Sequence, residues 1–153
     1  VKAMANFLAG SGGSPSGAGL VTMPTGTGKT AVIAGLIDSR PDRHWLVLVP
    51  RRALVRQIRR TLDTGLWDRL QRPKPSQFPG VRELPVTSRI DELADTATAT
   101  VFVGTFQKAL RIQAELDGDP VRRDACFAGF NAVLVDEGHY EPSPQWSCAI
   151  RYA

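Results

Sequence analysis

The chain has 153 residues, 42% hydrophobic and 22% charged, and a net charge of +4 from 19 basic and 15 acidic side chains. That is length enough for one domain with a real core, and no apolar run nears the ~20 residues of a membrane-spanning helix, which excludes that class. Cys126, Cys148, His44 and His139 sit at no zinc-ligand spacing, so two reduced thiols of a cytoplasmic protein are expected, and no basic leader with an apolar core announces export.

Val1 to Leu8 reads as the last turns of a helix, and residues 10–18, rich in Gly, Ser and Pro, as a flexible connection. A short apolar run, Gly19-Leu20-Val21-Thr22, then leads into Met23-Pro24-Thr25-Gly26-Thr27-Gly28-Lys29-Thr30 and an apolar helix through Ile37, ending near Ser39-Arg40-Pro41. A strand, a glycine turn and a helix opening on Gly-Lys-Thr form the context of a phosphate-binding loop. Gly26 and Gly28 let consecutive N–H groups curl toward an anion, and the helix N-terminus adds more. Lys29 supplies a point charge for the outer phosphates and the Thr30 hydroxyl a ligand for Mg²⁺. Met23 stands where the general pattern has glycine, so an ordinary Gly/Thr turn remains the alternative on this stretch alone.

His44 to Pro50 is a second strand, apolar without alternation, as when both faces are covered. The helix expected over Arg51 to Leu62 gathers Leu54, Val55, Ile58 and Leu62 on one side and Arg52, Arg56, Arg59 and Arg60 on another. Those arginines read equally as a solvated face; Pro50-Arg51-Arg52, at the C-terminal edge of a parallel strand, is the better candidate for binding. Residues 65–88 form a variable, Pro-rich segment in which Leu84-Pro85-Val86 is expected as an edge strand. Arg89 to Asp95 reads as one short helix. Thr100 to Gly104 is a third buried strand, followed by a helix from Thr105 through Leu116 and a shorter one capped by Asp119-Pro120, with Phe127 and Phe130 turned inward. Asn131 to Val135 is a fourth buried strand delivering Asp136-Glu137-Gly138-His139. Two carboxylates at the end of an apolar strand are costly unless water or a cation meets them. The first can hold the Mg²⁺ of a nucleotide, and the second can orient or deprotonate an attacking water. A last helix is expected from about Gln145, with Trp146 and Ile150 on its buried side.

Taken together, four segments resemble superfamily 2 helicases and translocases. Met23 to Thr30 resembles motif I, where that family commonly replaces the first glycine. Leu48-Val49-Pro50-Arg51-Arg52-Ala53-Leu54-Val55-Arg56-Gln57 resembles motif Ia, and Val101-Phe102-Val103-Gly104-Thr105-Phe106-Gln107 the Thr-containing backbone-contact motif. Asp136-Glu137-Gly138-His139 resembles motif II, the DEAD/DEAH box in its DExH form. The style is closest to the motor subunits of type III and type I restriction enzymes.

The resemblance implies an α/β, RecA-like P-loop NTPase lobe over residues 1–153, with a mostly parallel sheet and helices on both faces. It implies ATP and Mg²⁺ as cofactors, with phosphates bound by Thr25, Gly26, Thr27, Gly28, Lys29 and Thr30 and the metal by Thr30 and Asp136. Lys29, Asp136 and Glu137 are the implied catalytic set, with Glu137 as base, and His139 couples the nucleotide to the nucleic-acid side. Pro50, Arg51, Thr105 and Gln107 are the implied contacts to a nucleic-acid backbone, DNA in preference to RNA. A second RecA-like lobe is the other implied partner; no membrane is expected, and a nuclease or methylase partner stays unidentified. Because the family's motif III strand and second lobe have no counterpart in these residues, the lobe alone is expected to be nearly inactive, with about 10 Å between Leu20-Val21 and Leu134-Val135. Two readings from other classes remain: a small-molecule P-loop kinase, for which phosphate transfer to a metabolite is diagnostic, and a non-catalytic nucleotide-binding scaffold.

Overall fold

A computed structural model of the protein describes residues 23–24, 26–95, 97–127 and 129–136. The expected segments at Val1 to Leu8, 10–18 and 19–22, the helix from Gln145, and the spacing between Leu20-Val21 and Leu134-Val135 lie outside the described residues.

Helix α1 (Lys29–Ser39) follows directly on Gly28 and buries Ile33, Ala34, Leu36 and Ile37. It stops at Arg40, whose φ of −143° and ψ of 68° leave the helical region that a following proline, Pro41, disfavours. Strand β1 (Trp45–Val49) is buried at all five positions. Its residues divide between two cores: Trp45, Val47 and Val49 face one side, Leu46 and Leu48 the other.

Helix α2 (Arg52–Arg60) continues into a π-helical turn (Thr61–Gly65) and α3 (Leu66–Arg69), so the helical run passes the end expected at Leu62. The wider π turn keeps Leu62, Leu66 and Trp67 in the same core as Val55 and Ile58. The Trp67 indole N–H donates to the Leu62 carbonyl at 2.9 Å, a buried bond that supports the turn. The Pro-rich stretch then folds back: Phe78 meets Trp67 edge-on at 5.2 Å, and Lys74 bonds Asp63 at 2.8 Å.

The expected edge strand at Leu84-Pro85-Val86 is corrected to β2 (Gly80–Glu83). Leu84 still donates its N–H to the Val103 carbonyl at 2.9 Å, but Pro85 has none to give, and the ladder ends. The short helix expected over Arg89 to Asp95 is a 3₁₀ segment over Thr87–Leu93 with a break at Arg89; its buried pair Ile90 and Leu93 suits a three-residue turn. Strand β3 (Thr100–Thr105) pairs with both β1 and β2. At Gly104 a Cβ would lie 2.7 Å from the Leu84 side chain, so only glycine lets Leu84 cross there. Helix α4 (Phe106–Leu116) and α5 (Pro120–Phe127) follow, the latter capped by the Asp119 carboxylate, which accepts from the Arg122 N–H at 3.0 Å. Phe127 and Phe130 are buried, turned inward as expected of the short helix and its end.

Strand β4 (Ala132–Val135) completes a parallel four-stranded sheet of order β2-β3-β1-β4 among the described residues. Contrary to the expectation of a fully buried strand, β4 is half-buried and Val135 is 37% exposed, because β1 is its only neighbour among the described residues. Its start is pinned: Asn131 donates its N–H to the His44 carbonyl while its side-chain oxygen accepts the His44 N–H. One core holds α1, α2, the π turn and α3 against the sheet; the other holds the 3₁₀ segment, α4 and α5. The result is three layers, α/β/α. No helix among the described residues is long and apolar enough to cross a membrane.

Candidate nucleotide and nucleic-acid site

The loop ahead of α1 has the backbone that its glycines predict. Gly26 and Gly28 have φ of +81° and +90°, the left-handed region that side chains disfavour. Between them the turn is closed by Thr27, whose N–H and hydroxyl both donate to the Pro24 carbonyl, at 3.4 and 2.6 Å. Both Thr27 donors are therefore engaged within the loop. The N-cap of α1 is Gly28, which has no side chain to cap it, and among the described residues the positive end of the helix is open to a ligand. Lys29 and Thr30 open that helix and are half-buried. An oxyanion fits a loop of this kind. Thr25, Glu137 and His139 lie outside the described residues.

Because the sheet is parallel, its strands deliver their following residues to one edge. Val49 pairs with Thr105, and Leu48 pairs with Val135. The Asp136 N–H then donates to the Leu48 carbonyl at 2.9 Å, extending the ladder one step beyond β4. Pro50-Arg51, Thr105-Phe106-Gln107 and Asp136 thus leave three adjacent strands side by side. Arg51 is extended and exposed at the N-cap of α2. Thr105 caps α4, its hydroxyl oxygen accepting the Lys108 N–H at 3.2 Å. With its oxygen so used, the hydroxyl hydrogen remains available to a phosphate.

Beside this edge an open groove of about 350 Å³ runs between α2, β2 and α4; Arg52, Glu83, Thr105, Gln107, Lys108 and Arg111 line it. Three cations there meet one carboxylate, Glu83, which bonds the Lys108 ammonium at 3.1 Å. Such a surface attracts an extended polyanion.

The family profile described as Type III restriction enzyme, res subunit, matches residues 2–153. The chain belongs to that family. No curated protein and no solved structure gives a significant match. The res-subunit family is that of the superfamily 2 helicase N-terminal motor domain, so the resemblance read from four motifs holds, and the parallel sheet with helices on both faces is its RecA-like fold. A res-subunit domain is an ATP-dependent helicase or translocase motor domain that uses nucleotide, binds nucleic acid and works with a second lobe or other subunits. Within this res-subunit lobe, Lys108 and Arg111 are groove residues that motif reading passed over. The available signal was their helical spacing after Thr105 and Gln107, which turns one face of α4 to the same side.

Proposed function

We propose that this lobe couples ATP binding and hydrolysis to movement along nucleic acid, DNA in preference to RNA. The observation that carries the reading is the joint arrival of Asp136, Pro50-Arg51 and Thr105-Gln107 at one edge of a parallel sheet. In this reading Thr25, Gly26, Thr27, Gly28 and Lys29 hold the phosphates, the loop amides doing most of the orienting and Lys29 neutralising charge. Thr30 and Asp136 offer the oxygen ligands that a hard cation takes. Magnesium, when bound, supplies charge neutralisation and a template for the phosphates. Glu137 accepts the proton of the attacking water, and His139 connects that site to the polyanion edge. Pro50, Arg51, Thr105 and Gln107 grip the phosphodiester backbone without regard to sequence.

The test is ATPase activity of the complete protein with duplex DNA, single-stranded DNA and RNA, using Lys29→Ala as the blank. Hydrolysis is expected to rise with nucleic acid and to fall by roughly 10²-fold or more in the variant. Activity indifferent to every nucleic acid, or phosphate transfer to a metabolite, would refute the reading.

A further inference from the structure

Helix α2 carries more positive charge than the edge itself needs. At 100° per residue, Arg59, Arg52, Arg56 and Arg60 fall within a sector of about 100°, on the flank beside the buried Val55, Ile58 and Leu62. Arg59 pairs with Glu83 at 3.6 Å. Arg52, Arg56 and Arg60 are exposed and have no carboxylate partner among the described residues. They repeat at i, i+4 and i+8, the spacing at which like charges repel, each such pair destabilising an isolated helix by about 0.2–0.5 kcal/mol. A solvated face would interleave acids; this one has none from Arg51 to Leu62.

A second hollow of about 290 Å³ lies further along α2, lined by Arg56, Arg59, Arg60, Asp63, Thr64 and Val81. Both hollows are walled by α2 on one side and β2 on the other: Arg52 opposes Glu83 in the first, and Arg56 to Arg60 oppose Val81 in the second. The Arg59–Glu83 pair is the bridge between them. Of the acids bordering the furrow, Glu83 is occupied by Arg59 and Lys108, and Asp63 by Lys74. The arginine row spans about 12 Å from Arg52 to Arg60, the rise of three to four base-pair steps.

We infer that the α2–β2 furrow, through Arg56 and Arg60, is a second stretch of nucleic-acid track, carrying backbone phosphates from the sheet edge down along α2. The inference rests on the proposed nucleic-acid function and deepens it. A nucleic-acid backbone fits better than an acidic protein because the second hollow lies along the same α2–β2 boundary as the groove where Thr105 and Gln107 stand. The regular spacing of charges on a rigid helix also matches a regular row of phosphates.

The experiment measures binding of a fluorescent 20-nucleotide deoxythymidine strand to the complete protein over a range of salt concentrations. Arg56→Gln/Arg60→Gln is compared with Arg40→Gln/Arg43→Gln, which removes the same charge ahead of β1, at residues that line neither hollow. Two lost phosphate contacts should flatten the slope of log K against log salt by about 1.4, the control leaving it unchanged. An equal change in both variants would reduce the effect to net charge and overturn the furrow, as would wild-type slope in the α2 variant. Absence of binding by the wild type would instead overturn the nucleic-acid function itself. Gln at exposed helix positions preserves the fold, and coincident circular-dichroism spectra check it.

Discussion

Thr105 answers two demands with one hydroxyl. Its oxygen accepts the Lys108 N–H and so starts α4, while its hydrogen is free to reach a phosphate. Substitution separates the two. Thr105→Ala should cost about 1 kcal/mol of stability through the lost cap and weaken nucleic-acid binding as well. Thr105→Asp keeps a capping oxygen but turns the donor into a negative charge, so stability should hold within about 0.5 kcal/mol while binding falls; urea denaturation and strand binding, measured side by side, decide it. At this scale the sequence was legible where backbone chemistry dictates residue type. Gly26 and Gly28 were readable as positive-φ positions because a loop before Gly-Lys-Thr needs them, and both have that conformation. Gly104 was not readable: its requirement comes from Leu84, twenty positions away, crossing within 2.7 Å of where a Cβ would stand. Lys108 and Arg111 were passed over for a related reason, since a groove between three elements has no one-dimensional signature.

Among the elements, those with a period or a punctuation mark were readable and those held by distant side chains were not. Unbroken apolar runs gave β1 and β3, and Asp119-Pro120 gave the start of α5. The helical run passes the end expected at Leu62 because Trp67, bonding the Leu62 carbonyl, carries it onward into the segment read as Pro-rich. The 3₁₀ segment is another case. Beyond its own turn bonds and the Arg89–Glu92 pair, it is clasped to α5 by a two-bond contact in which the Arg122 guanidinium donates to both oxygens of Asp91, at 2.9 and 3.1 Å. That hydrogen bonding from Arg122 holds the Asp91 carboxyl below its ordinary value. A carboxylate with a lowered folded-state pKa adds stability above its unfolded value, near 3.9, and loses it as pH falls through the folded value. Wild type should therefore exceed Asp91→Asn slightly in thermal stability at pH 7, and the gap should close on acidification through and below the ordinary carboxylate range. A gap that persists there would assign the effect to packing. Both groups are exposed, so the difference is small.

At the largest scale, the organising fact among the described residues is that one parallel sheet brings Pro50-Arg51, Thr105-Gln107 and Asp136 to its C-terminal edge. The presence of alternating strands and helices in the sequence was sufficient to anticipate this, since parallel crossovers leave strand ends together. Which strands become neighbours was less accessible: β1, second of the expected strands, stands between β3 and β4, an order set by packing on two cores. Because Arg51 and Asp136 flank the same strand, their roles can be separated by measurement. Arg51→Ala should leave nucleotide affinity within about twofold while reducing the stimulation of ATPase by DNA roughly tenfold, a loss confined to the coupled rate. Equal losses in both would mean that the two sites were never distinct. The bond from the Asp136 amide to the Leu48 carbonyl gives this arrangement its mechanical character. Two jaws cast on a single bar cannot flex against each other. In the proposed motor, a stroke would come from the segments that leave the bar after Pro50 and Thr105, while the bar itself serves as the anvil.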